Sequence, residues 1–181
     1  MKKAIFCFSF LCITLLCTDI SAQKAAFGSG DNVVGFGFGV GSRHFVSGWG
    51  YGYRSLPTFL ATYERCIVSR VWDDKSSIGA GALLGYKYTW WSGDYDWSYS
   101  NIFIGARGAL HYTFVENLDV YAGLAMGARI YSHKYYDNWS KTYFSWDLIA
   151  GARYYFSSNF GAFAELGYDI AYLKLGLVLK F

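Results

Sequence analysis

Two places in this 181-residue chain set a hydroxyl beside an imidazole: His44 with Ser47, and Ser132 next to His133. A serine deprotonated by a histidine is the working pair of acyl transfer, and a nearby carboxylate would complete a triad acting on a lipid ester. Neither pair sits in a Gly-x-Ser-x-Gly elbow, so a lipid-modifying enzyme stands only as an alternative, and the expectation is that the chain is not an enzyme. Metal chemistry has less support. The histidines are His44, His111 and His133, and beyond residue 22 the only thiol is Cys66, with no ligand spacing among them. Asp94 and Asp96 offer two carboxylates where calcium takes six or more oxygens, and no cofactor is expected.

More informative are charges that recur singly inside apolar, alternating segments: Glu64, Lys87, Arg107, Arg129, Asp147, Arg153, Glu165 and Lys174. Each lies on the less apolar face of a stretch with period two, which is the period of a β-strand. The last residues display it plainly: Leu173, Leu175, Leu177, Leu179 and Phe181 alternate with Lys174, Gly176, Val178 and Lys180. The same division recurs along 101–114, where Ile102, Ile104, Ala106, Leu110, Tyr112 and Phe114 oppose Gly105, Arg107, Ala109, His111 and Thr113. Strands are expected at 32–41, 58–68, 78–88, 101–114, 118–131, 143–156, 160–168 and 171–181. A face that is greasy in all of them, opposite one holding both signs of charge, is a sheet turned inside out. The charges are expected to pair in a ladder inside a closed barrel, because isolated charges in a low-dielectric interior are prohibitive. Glycines at 35, 37, 39 and 41 make room there for long side chains from other strands.

At the other end, Lys2 and Lys3 precede an apolar run from Ala4 to Cys17, and Ile20-Ser21-Ala22 offers a cleavage site. That run of about 14 residues is short of the roughly 20 that span a bilayer as a helix, so residues 1–22 read as a signal peptide and 23–181 as one domain. Three of the four cysteines, Cys7, Cys12 and Cys17, fall in the leader, which leaves no internal disulfide. Removing Lys2, Lys3 and Asp19 from 16 basic and 13 acidic residues leaves 14 and 12, a balance with no nucleic-acid footprint.

Connections alternate in length. Those near 115–117 and 157–159 are tight, whereas 42–56, 89–100 and 132–142 are long, as in bacterial barrels with short periplasmic turns and long outer loops. Phe59, Tyr86, Tyr88, Phe144 and Trp146 fall toward the outer strand ends, and Tyr112, Phe114, Tyr154, Phe156, Phe160 and Phe181 toward the inner, as two belts at the headgroups require. The long loops are expected to hold Trp49, Tyr51 and Tyr53, then Trp90, Trp91, Tyr95, Trp97 and Tyr99, then Tyr135, Tyr136 and Trp139. Such rings suit carbohydrate stacking or a protein hot spot, and also contact with lipopolysaccharide headgroups.

The whole of 23–181 resembles the small eight-stranded outer-membrane barrels of the OmpA/OmpX kind, the family called outer membrane protein beta-barrel domain. The terminal Phe181, with Leu179, Leu177, Leu175 and Leu173 before it, is similar to the signal that the outer-membrane assembly machinery recognises. The resemblance implies a bacterial outer-membrane location, outer-membrane lipid and lipopolysaccharide as surroundings, and periplasmic chaperones and the assembly machinery as partners. It implies no shared activity. The reading is thus all-β: a monomeric, eight-stranded, antiparallel up-and-down transmembrane barrel, non-enzymatic, plugged by charged and tyrosine side chains. Its role is structural or one of surface interaction with an extracellular ligand or protein, and a narrow channel is the other alternative. Lipid-facing Leu175→Arg is expected to cost about 2 to 4 kcal/mol near the bilayer midplane, and lumen-facing Lys174→Gln to leave insertion intact.

Overall fold

The computed structural model describes residues 25–42, 53–91, 97–134 and 139–181, and residues 1–22 therefore lie outside it. Among the described residues the strands are β1 (Asn32–Val40), β2 (Tyr53–Ser55), β3 (Thr58–Ser69), β4 (Ser76–Trp91), β5 (Trp97–Val115), β6 (Leu118–Lys134), β7 (Trp139–Tyr155), β8 (Phe160–Gly167) and β9 (Leu173–Lys180). Every pairing is antiparallel. β1 binds β3 on one side and β9 on the other, and β3 to β9 follow in sequence order, so that eight strands close on themselves. Closure removes the free sheet edges that would otherwise leave backbone groups unpaired in hydrocarbon. β2 is an addition at the top of β4, where Arg54 lies opposite Trp90, and it is separated from β3 by Leu56 and Pro57, whose ring has no N–H for a ladder.

Alternation becomes two unlike surfaces. Phe36, Ile104, Leu110, Phe144, Leu148, Leu166 and Leu177 stand on the outside, while Glu64, Arg107, Asp147, Arg153, Glu165 and Lys174 are buried inside. On β5 the outward apolar positions run from Ile102 to Phe114. At about 3.3 Å per residue and a tilt near 40°, that is roughly 30 Å of height, the thickness of a bilayer's hydrocarbon core.

The interior is crowded, and glycine faces the bulky groups. A Cβ on Gly176 would stand 2.5 Å from the Phe163 ring, one on Gly37 would stand 2.9 Å from the same ring, and one on Gly79 would stand 2.5 Å from the Glu64 carboxylate. At the end holding Asn32 and Lys180, β5 and β6 are joined by Glu116 and Asn117 alone, with Asn117 at φ 63°, a conformation asparagine tolerates better than most residues.

The barrel is taller on one side. β4 and β5 pair up to Trp91 opposite Trp97, and β6 and β7 up to His133 opposite Trp139, but β7 and β8 pair only from Ile149 opposite Gly167. From Trp139 to Leu148 is roughly 30 Å along the strand, so β4 to β7 project well past the rim formed by β8, β9, β1 and β3. This corrects the expected loops. Trp90 and Trp91 belong to β4, Trp97 and Tyr99 to β5, Trp139 to β7 and Tyr53 to β2. Trp49, Tyr51, Tyr95, Tyr135 and Tyr136 lie outside the described residues.

Candidate functional site

Inside the barrel the side chains form tiers that almost span its length. At the end near Asn32, Glu64 accepts from His111 Nε2 at 2.7 Å and from Arg153 Nη2, and Arg107 stands 3.6 Å away. His111 Nδ1 lies 2.9 Å from Asp119, which also faces Arg153 at 3.6 Å. In the middle tier Arg107 donates to Glu165 at 3.1 Å, the Tyr121 hydroxyl donates to the same carboxylate at 3.0 Å, and Lys174 bridges Glu165 at 2.8 Å and Asp147 at 2.5 Å. Asp147 further accepts the backbone N–H groups of Tyr168 and Asp169, each at 2.7 Å. In the outer tier Arg129 donates to Asp169 at 2.6 Å and to Ser145 at 3.1 Å, and Ser145 also donates to Asp169.

Carboxylates at Glu64, Asp119, Asp147, Glu165 and Asp169 thus meet Arg107, Arg129, Arg153 and Lys174, with His111 held between two acids. Charges buried this deeply persist only when paired on most sides, and these are. The arrangement braces walls. Its acids are tied to cations, and the Ser145 hydroxyl is shared between Asp169 and Arg129. Lys87 is half-buried at the outer end, beside Arg129 and Asn101 in a small cavity that Thr58, Phe103 and Ile170 also line. Asp119 and Asp169 complete the tiers although the sequence reading did not single them out. Asp119 shares the parity of inward Tyr121 and was legible in principle, whereas Asp169 sits in the bend 168–170, where no periodicity applies.

Above the rim the polarity of the tall sheet inverts. Its outward face turns from apolar to Ser98, Ser100, Ser132, Ser140 and Thr142, with Tyr88 and Trp90 of β4 as exceptions. The face over the mouth becomes aromatic. Tyr99 lies 5.2 Å from Tyr131 and 4.7 Å from His133, and Trp139 lies 5.8 Å from Tyr131 and 5.7 Å from His133. The Lys141 ammonium stands 5.2 Å from the Trp139 ring. These rings stand on the face opposite the one that meets lipid lower down the strands.

The same alternation disposes of one catalytic pair. Ser132 and His133 are consecutive in β6 and point to opposite faces, with Ser132 bonded to Ser140 at 3.2 Å. His44 and Ser47 lie outside the described residues.

No family model matches the sequence, and no curated protein matches it. Solved structures do. Ail, the attachment invasion locus protein of Yersinia pestis, in complex with the heparin analogue sucrose octasulfate, is 13% identical with a TM-score of 0.54 over 84% of this chain and 99% of that one. The N-terminal β-barrel domain of Pseudomonas aeruginosa OprF is 14% identical with a TM-score of 0.43 over 85% and 99%. The chain has the transmembrane fold of the small eight-stranded outer-membrane barrels.

Proposed function

We propose that this chain is a non-enzymatic integral protein of the bacterial outer membrane that holds a saccharide at its outer mouth. Residues 1–22 would be the leader removed on export, the alternate leucines ending at Phe181 the mark read by the assembly machinery, and periplasmic chaperones the escort. The inverted polarity of the tall sheet carries the reading. A wall of Tyr99, Tyr131, His133 and Trp139 stands over the mouth, backed by an outward face of serines, with the first three rings half-buried against one another and Trp139 exposed to a ligand. Flat rings suit the apolar faces of sugars, and the Lys141 ammonium over the Trp139 ring favours a sugar bearing negative charge. The heparin analogue bound by Ail is a ligand of that chemistry on a barrel of the same fold.

Calorimetric titration of the refolded protein in detergent tests this, with a heparin-derived oligosaccharide and an uncharged oligosaccharide of equal length. The charged sugar should bind, and Trp139→Ala should weaken it by about tenfold or more, whereas Ser140→Ala on the other face should not. Equal affinities of wild type and Trp139→Ala would remove the mouth from the reading.

A further inference from the structure

The opposite mouth is stopped by the chain itself. Ala26 and Phe27 precede the first strand and are 6% and 1% exposed, packed with Val33, Cys66, Tyr155, Phe163 and Val178. A segment ahead of the first strand ordinarily frays, and its backbone groups bond to water. Here they are matched inside: Ala26 N–H donates to Thr113 Oγ1 at 2.8 Å, Ser77 Oγ donates to the Phe27 carbonyl at 2.9 Å, and Lys180 Nζ donates to the Ala26 carbonyl at 2.9 Å. Gly28 N–H bonds the Asp31 carboxylate at 2.9 Å in a turn that passes through Gly30 at φ +90°, and the Asp31 carbonyl receives Cys66 N–H at 3.0 Å. The Phe27 ring lies 4.5 Å from the His111 ring and 5.7 Å from the Arg153 guanidinium, directly on the innermost tier of charges.

Thr113 is on β5 and Lys180 on β9, and in the closed order these strands are diametrically opposed. Both reach the same residue, Ala26, only when the barrel is shut. We infer that residues 25–31 are a stopper and latch: they seat after the strands have closed, tie the β4–β5 wall to β9, and seal the inner mouth against water and solutes. The latch lies at the far end from the aromatic mouth and is independent of what binds there.

Cys66 is buried in the same cluster, and it reports on the seat. With Cys7, Cys12 and Cys17 replaced by alanine, its labelling by a small charged thiol reagent is followed in the folded, detergent-solubilised protein, for the parent and for the double variant Ala26→Gly/Phe27→Gly. The variant should still reach the heat-modifiable folded form and should label about tenfold faster or more, because the local opening that admits the reagent no longer has to unseat the ring. A folded variant that labels at the parent rate would overturn the stopper. A variant that cannot fold would equally overturn it, since a latch that seats last is not needed for closure.

Discussion

Glu165 and Lys174 stand directly opposite each other on β8 and β9, and their side chains meet at 2.8 Å inside the barrel, where Lys174 also reaches Asp147 at 2.5 Å. One ammonium thus bridges two buried carboxylates, of which Glu165 is shared with Arg107. The sequence alone expects Lys174→Gln to leave insertion intact, and the structure adds a cost in stability. Removing the charge leaves Asp147 and Glu165 underpaired, and breaking a buried pair in this way costs about 3 to 5 kcal/mol. Urea unfolding of the refolded protein should show a loss of that order for Lys174→Met, with a substantial part recovered in Lys174→Met/Glu165→Gln. Additive losses in the double variant would refute the pairing.

Leu175 tests the outer surface one residue further on. It faces outward midway along β9, opposite Phe38 on one side and Ala164 on the other. An arginine there would enter hydrocarbon, and Leu175→Arg should cost about 2 to 4 kcal/mol in lipid vesicles. The loss should shrink toward the rim, so Leu173→Arg is the milder variant. Equal costs at the two positions would mean that no apolar layer surrounds this strand.

Gly176 joins the surfaces through packing. An added Cβ would strike both the Phe163 ring and the backbone carbonyl of Phe36. Gly176→Ala should therefore destabilise by about 1 to 3 kcal/mol, the range of overpacking. Phe163→Ala should restore only part of it, because the carbonyl cannot withdraw. Complete rescue would show that the ring was the sole obstacle.

How far such relationships can be read beforehand depends on what carries the signal. The strands were legible because period two is stamped on each in turn, and parity alone separates Arg107 from Ala106 and Lys174 from Leu175. Pairing is different. Nothing in one sequence sets Glu165 opposite Lys174, since register comes from the turn 168–172 and the bends around it. The tall sheet was misread as loops because above Ile102 and Ile130 the outward face loses its apolar mark, and serines alternating with rings look like loop composition. The Ala26-Phe27 stopper has no signal at all, as two apolar residues make no period.

In the barrel's midsection Arg107, Tyr121, Glu165 and Lys174 reach across the lumen and bond one another, and the Arg107 guanidinium also lies 5.6 Å from the Tyr121 ring. Eight strands leave an interior about wide enough for such side chains and no more. Planar-bilayer recordings of the wild-type protein should therefore show no long-lived openings of porin size. Tyr121→Ala removes the bulk that stands against Gly151 and one donor to Glu165, while the ion pairs Arg107–Glu165 and Lys174–Glu165 remain. Its effect should be limited to brief, small conductance steps. If a pore of porin size opened in wild type, the side chains would have to leave the lumen together, which this many buried ion pairs would oppose, and the interior would need a different account.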